Sequence, residues 1–243
     1  LLVLPTVIPG SSRIATTSPL GSEALAMEAA PPLPRTTLSP ALAITLPGEV
    51  DSNSPLLWDL EEGERKLFAF TSVDGVPRIA SGPAVERLGG PAAISLLPHP
   101  GYGVWMEAIV SDDVETWYGF YHNEWPATRC GREDRMVSRI GAAKSTDRGR
   151  NWQDLGAVIQ SPQSATACQS NNRYIIGGVG DLSVMLDDDK QYLYFFYSQY
   201  HSQPNAQGVA MAKATRATSA NATDDGPSSR EPKFRDPPTV RSF

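Results

Sequence analysis

Two acidic residues stand where an acidic residue is costly. Glu107 lies within Trp105-Met-Glu-Ala-Ile-Val110, and Asp181 within Gly177-Gly-Val-Gly-Asp-Leu-Ser-Val184, both otherwise apolar or small runs. An unpaired carboxylate in such surroundings loses its hydration without compensation, so its presence asks for a reason. A pair of carboxyls can perform general acid–base work, one giving a proton to a leaving group while the other activates water or attacks carbon. Asp51 is a third candidate, two residues before Asn53 and on the same strand face. Tyr121-His122-Asn123-Glu124 sets four polar groups in a row beside Trp125, and together with Asn53 and the Trp105 indole these suit recognition of hydroxyl-rich ligands. A simpler reading stands beside each: the acids bond neighbouring backbone or an arginine, and the polar run is an ordinary turn. His99, His122 and His201 have no metal-ligand spacing. The glycine run 177–180 leads into a strand with no helix after it, which argues against a phosphate cradle. The acidic turns Asp112-Asp113 and Asp187 to Asp189 read as solvated hairpin tips. No metal and no cofactor is expected.

These residues sit in a recurring pattern. The segments 53–58, 67–72 and 77–82 form one unit, 106–110, 116–122 and 139–144 a second, and 180–184, 192–198 and 208–213 a third. Each unit reads as strand, tight turn, strand, longer loop, strand. The segments are short, rich in β-branched and aromatic residues and divided by Asp/Gly turns, which is hairpin chemistry. Each middle segment is nearly all apolar, as for a strand covered on both faces. The period predicts an all-β fold of propeller blades, with a β-sandwich as the plainer alternative. Aligning the units on their first strands brings Glu107 and Asp181 to one position, while the first unit offers Asn53-Ser54 there.

One motif is specific. Ser145-Thr-Asp147-Arg-Gly149-Arg-Asn-Trp152 fits Ser-x-Asp-x-Gly-x-x-Trp and resembles the Asp box of sialidases and related propellers. The Ser and Asp side chains can satisfy turn amides, Gly149 can take positive φ, and Trp152 can pack beneath the hairpin. The resemblance implies that Asp147 is structural. Over roughly 51–213 the layout also resembles the five-bladed glycosidases, a group that includes arabinofuranosidases, xylosidases and fructosidases. That resemblance implies a glycoside hydrolase with Glu107 as general acid, Asp181 as second carboxyl and Asp51 in place of the first-blade acid. The Asp-Pro step common in that group is Ser54-Pro55 here, which weakens the assignment of Asp51. A non-catalytic glycan-binding propeller and a protein-binding scaffold are the competing classes.

Composition sets the frame. With 21 Lys and Arg against 27 Asp and Glu, the net charge of −6 includes no basic stripe, so nucleic acid is an unsuitable partner. The apolar runs fall short of the roughly 20 residues that a membrane-spanning helix needs. No aromatic residue precedes Trp58, and residues 1–50 and 214–243 are rich in Pro, Ala, Ser and Thr, so both are expected to be flexible flanks of blades spanning 51–213. About three blades are expected, and an open array exposes edges through which chains could self-associate. Cys130 and Cys168 permit a single disulfide, which suits a secreted or periplasmic protein, while two free thiols in a reducing compartment are the alternative.

Overall fold

The computed structural model describes residues 50–111, 116–201, 205 and 207–215, with Thr37 and Leu46 as isolated positions. The flexible character expected of 1–50 and 214–243 therefore falls outside the described residues, save for Thr37, Leu46, Val50, Ala214 and Thr215, and so does the turn Asp112-Asp113.

Turn chemistry fixes the first blade. Strands β1 (Leu56–Glu61), β2 (Glu64–Val73), β3 (Val76–Gly82) and β4 (Ala92–Ala93) form an antiparallel sheet in that order. Glu62 and Gly63, at φ 55° and 81°, close β1 onto β2, and Asp74 and Gly75, at 50° and 71°, close β2 onto β3. Two-residue loops with both φ values positive match the right-handed twist of the strands that they join. A short β5 (Ser95–Leu97) then runs parallel to the outer strand of the second blade.

The second blade is β6 (Val104–Ser111), β7 (Trp117–Ala127), β8 (Arg132–Ser145) and β9 (Asn151–Ile159), antiparallel throughout. The third is β10 (Ile175–Leu186), β11 (Tyr192–Tyr200) and β12 (Gly208–Thr215). β10 also pairs in parallel with β8, at Ile175 with Met136 and Gly178 with Ser138, so the second and third blades share one eight-stranded sheet. The result is an all-β propeller arrangement, three meanders packed face to face, in which the first strand β6 touches β1, β2 and β10. Among the described residues no helix is long and apolar enough to cross a membrane.

Period-two alternation builds the two seams. Phe68, Phe70 and Ile79 of blade 1 meet Met106, Trp117, Tyr121 and Trp152 of blade 2. Phe120, Ile140 and Ile159, on the opposite face of blade 2, meet Leu182, Leu193, Phe195 and Tyr197 of blade 3. Each of these side chains contributes about 1.5–3 kcal/mol by leaving water, and no blade could bury them alone.

The β8–β9 turn is closed by its own side chains. Ser145 Oγ accepts the Gly149 amide at 2.9 Å and donates to Asp147 Oδ1 at 2.9 Å; Asp147 in turn accepts the Asn151 amide at 2.9 Å. Gly149 has φ 79°, and the buried Trp152 donates its indole N–H to the Gly149 carbonyl at 2.7 Å. Burial opposes charge on Asp147, but the bonds from Asn151 and Ser145 outweigh it and hold its carboxyl below the usual range. Cys130 and Cys168 are joined in a disulfide, with Cα atoms 5.2 Å apart.

Candidate functional site

Two β-bulges aim the acids. The β6–β7 register shifts between Met106 and Ala108, leaving Glu107 unpaired, and the β10–β11 register shifts between Gly180 and Leu182, leaving Asp181 unpaired. An inserted residue breaks the strand's alternation and can turn its side chain toward a site. Asp181 adopts φ 44°, a conformation that a non-glycine residue holds only at a cost. The equivalence seen in sequence thus has a structural counterpart: both acids are bulge residues on the first strands of adjacent blades.

His122 stands between them. Its Nδ1 lies 3.5 Å from Asp181 Oδ1, and its Nε2 lies 3.4 Å from Glu124 Oε1. The ring is 4% exposed, and Nε2 has no hydrogen bond of good geometry. Gly180 permits this approach, because a Cβ there would stand 2.4 Å from Nδ1. Tyr200 donates its phenol to Asp181 Oδ2. Glu107 accepts the Leu182 amide at 2.6 Å, while Asn53 from blade 1 donates to the Leu182 carbonyl at 2.9 Å. Groups from all three blades therefore converge on the backbone of Leu182, its N–H held by Glu107 and its C=O by Asn53.

The electrostatics separate the acids. Burial pushes Glu107 up to about 7, against the Leu182 amide and the His122 charge, which favour its ionised form. Asp181 is held below the usual carboxylate range, chiefly by His122 and then by Tyr200, against a desolvation that favours its neutral form. Burial disfavours the His122 cation, but Asp181 and Glu124 beside its two nitrogens and Glu107 nearby outweigh it and push it up to about 9. The Asp181 amide also lies 3.2 Å from Nδ1, a contact suited to the neutral ring. The carboxylates beside both ring nitrogens favour the cation over that contact.

The remaining expected residues divide. Trp105 joins the cluster, its ring 5.6 Å from His122, and donates to Asp51 Oδ1 at 2.9 Å. Asp51 is exposed, also accepts the Asp74 amide at 3.2 Å, and is one indole removed from the cluster. Tyr121 and Asn123 point to the other face of β7. Tyr121 is buried in the blade 1–2 seam and donates to Asp154 at 2.5 Å. Asn123 is fully buried, donates to the Gly101 and Gly103 carbonyls at 3.0 and 2.8 Å, and accepts from Trp125 and Arg139. Its amide nitrogen thereby positions the 101–103 loop, and its oxygen holds the Trp125 and Arg139 side chains. Tyr200 was not among the expected residues, yet it lies two positions beyond Ser198 on the same face of β11 as Phe196.

Sequence spacing gave no sign of a metal ligand set, but Glu107, His122 and Asp181 bring three donor atoms within 4.8 Å of one another. One imidazole with two carboxylates is a donor set that suits Zn, Mn or Fe.

No protein-family model matches the chain, and no curated protein does. Among solved structures, an N-acetylgalactosamine deacetylase from F. plautii matches 71% of this chain and 52% of its own at 12% identity and TM-score 0.42. An endo-1,5-α-L-arabinanase from Thermotoga petrophila matches 67% and 40% at 16% identity and TM-score 0.40. An endo-arabinase from Bacteroides thetaiotaomicron matches 65% and 55% at 14% identity and TM-score 0.41. The chain thus spans between 40% and 55% of the length of these structures.

Proposed function

We propose that the protein is a glycoside hydrolase acting through Glu107 and Asp181. The observation that supports the reading is a pair of carboxyls with oxygens within 4.8 Å of each other and pKa values moved apart, Glu107 up to about 7 and Asp181 below its usual range. Such a division of labour is how two chemically similar groups serve as acid and as anion at the same pH. Glu107 gives its proton to the leaving oxygen while Asp181 attacks the anomeric carbon; water then displaces Asp181, its proton passing to the Glu107 carboxylate. The two carboxyls have oxygens within 4.8 Å of each other, nearer the roughly 5 Å of retaining enzymes than the wider gap of inverting ones. His122 and Tyr200 hold Asp181 ionised and oriented, and the Trp105 indole offers a flat face to a sugar ring. We further read the three blades as part of a five-bladed ring, residues 145–152 as an Asp box, and the Cys130–Cys168 disulfide as the mark of an exported protein.

The test is a screen of the full chain against aryl glycosides and polysaccharides. Hydrolysis lost in both Glu107→Gln and Asp181→Asn, with a rate that falls as pH rises through about 7, is expected. Glycan binding without turnover would replace this reading with that of a binding module.

The donor set of Glu107, His122 and Asp181 favours a second reading, metal-assisted hydrolysis. A divalent ion there would supply an acidified water. In that case His122 must bind as the neutral ring, and both acids are ligands. Activity that survives exhaustive chelation removes this alternative.

A further inference from the structure

The loop that leads into β6 is built around one side chain. It reads Gly101-Tyr102-Gly103, so only Tyr102 projects beyond the backbone. Gly101 and Tyr102 have φ of 76° and 47°, and for a tyrosine that backbone is strained. The strain is held from both sides. The Gly101 amide donates to His99 Nδ1 at 3.1 Å, and the fully buried Asn123 donates to the Gly101 and Gly103 carbonyls at 3.0 and 2.8 Å. Gly103 is enclosed as well, since a Cβ there would stand 2.5 Å from the Trp105 ring.

What this frame holds up is an aromatic ring in water. Tyr102 is 53% exposed. Its ring meets Trp125 edge-on, with centroids 5.0 Å apart and planes at 66°, so at least one face of the phenol is not covered by the indole. Trp125 is fixed in turn by its bond to Asn123 and by the Arg139 guanidinium, 4.2 Å over its ring. A single exposed tyrosine is ordinary. One set on a strained backbone that a buried amide pins from both sides is not, because such strain persists where a contact outside the fold gives it a use. The loop also adjoins the carboxylate cluster. The Trp105 ring against Gly103 lies 5.6 Å from His122, and Asn123 stands on β7 between His122 and Glu124. Asp181, with a side chain 59% exposed, opens that cluster to solvent.

We propose that Tyr102 is the platform of a second sugar-binding position, beside the one at Trp105 and the Glu107–Asp181 pair, so that the ligand is an oligosaccharide and not a single sugar. The inference rests on the glycan reading above. A phenol offers a flat apolar face to the C–H side of a sugar ring and a hydroxyl to its polar edge. Because the loop is already fixed and a tyrosine has few rotatable bonds, little freedom remains to be lost on binding.

Calorimetric titration of the full chain carrying Glu107→Gln, which keeps the shape of the cluster and withholds its proton, tests this. The probes are glucose, xylose and mannose, then cellotetraose, xylotetraose and mannotetraose, and any saccharide turned over in the wider screen in the same two lengths. A tetrasaccharide should bind at least about 10-fold more tightly than its monosaccharide. Adding Tyr102→Ala should abolish that difference and change monosaccharide affinity by less than about 2-fold, while Tyr102→Phe, which keeps the ring, should retain it. Circular dichroism and a urea midpoint check that each variant is folded. A difference that survives Tyr102→Ala overturns the proposal, as does a loss shared equally by monosaccharide and tetrasaccharide, which would make Tyr102 a support for the loop alone. A tetrasaccharide that binds no more tightly than its monosaccharide overturns it too, yet leaves the glycan reading standing. Binding of no sugar in the set removes that reading and the proposal with it.

Discussion

The two seams of this molecule are made by the same alternation of strand residues and arrive at opposite polar outcomes. Between blades 1 and 2, Trp117 stacks edge-on against Phe68 and Phe70 at 5.0 and 6.2 Å, and its indole donates to Asp59 at 3.0 Å. Trp152 and Tyr121 likewise find partners in Gly149 and Asp154. Between blades 2 and 3, Phe120 meets Phe195 at 4.9 Å in an aliphatic core, but the inner end holds a buried acid, a buried histidine and a strained aspartate. The first seam satisfies its polar atoms and is built to hold. The second retains Glu107 against its desolvation cost, which is the arrangement expected where chemistry rather than stability sets the residue.

The strongest way to sharpen that contrast is to damage each seam in turn. Trp117→Ala removes the largest fully buried side chain and should cost about 3–5 kcal/mol, enough to unfold much of the population of a marginal domain. Urea titration followed by far-ultraviolet circular dichroism measures this, and a loss below about 1 kcal/mol would mean that the seam is not a structural anchor. Glu107→Gln should do the reverse. Gln keeps an oxygen for the Leu182 amide and carries no charge to desolvate, so the fold should be as stable as wild type or more so at pH 8, while turnover on any substrate found falls about 10²–10⁴-fold. A strongly destabilised Glu107→Gln variant would make Glu107 a structural residue.

The seams should also separate in their response to pH. Glu107 is raised to about 7 from 4.5, so the unfolded chain releases this proton first and stability falls as pH rises between those values. His122 is raised to about 9 from 6.5, so the stability gained from its cation is full below 6.5 and is lost as pH rises through 9. Both act in one direction, and together they should lower unfolding free energy by a few kcal/mol between pH 5 and pH 9, at about 1.4 kcal/mol for each tenfold change in proton affinity. Unfolding midpoints at pH 5, 7 and 9 check this. The Glu107→Gln variant should lose only the part below about pH 7; an unchanged profile would show that the cluster does not titrate as a coupled buried set.

Much of this was legible in the sequence because local chemistry carried it. The Asp/Gly turns, the apolar middle strands and the shared first-strand position of Glu107 and Asp181 all follow from short-range pattern. The outer strands did not. β4 is Ala92–Ala93, two residues without a β-branched or aromatic signal, and β9 begins inside the motif whose turn drew the reading. Taking Tyr121, His122, Asn123 and Glu124 as one recognition cluster overlooked strand parity: His122 and Glu124 face blade 3, while Tyr121 and Asn123 face blade 1. That signal was present in the spacing. The bulges at Glu107 and Asp181 left no such trace, since an inserted residue is defined by what lies across the ladder, and Tyr200 reaches Asp181 only because the bulge turns the aspartate toward it.

The finest comparison makes the same chemical change on each side of β7. Tyr121 and Tyr200 each donate a phenol to an aspartate, Asp154 in the first seam and Asp181 in the second. Tyr121 is 1% exposed, and its removal as a donor leaves the partly buried Asp154 with the Gly156 amide at 3.0 Å but without its phenol. Tyr121→Phe should therefore cost about 1–2 kcal/mol of stability and leave the pH dependence of activity alone. Asp181 has a side chain that is 59% exposed, so water can replace the lost phenol and Tyr200→Phe should cost under about 1 kcal/mol. Its effect should appear in the titration instead. With Tyr200 gone, one of the groups that hold Asp181 ionised is missing, so its pKa rises, and the acidic limb of the activity profile should move upward with it while turnover at pH 7 falls only a few-fold. Unfolding curves and pH–rate profiles of the two variants decide the matter together: a shifted limb in Tyr121→Phe, or none in Tyr200→Phe, would mean that the two phenols do equivalent structural work and that the seams do not differ as their electrostatics imply.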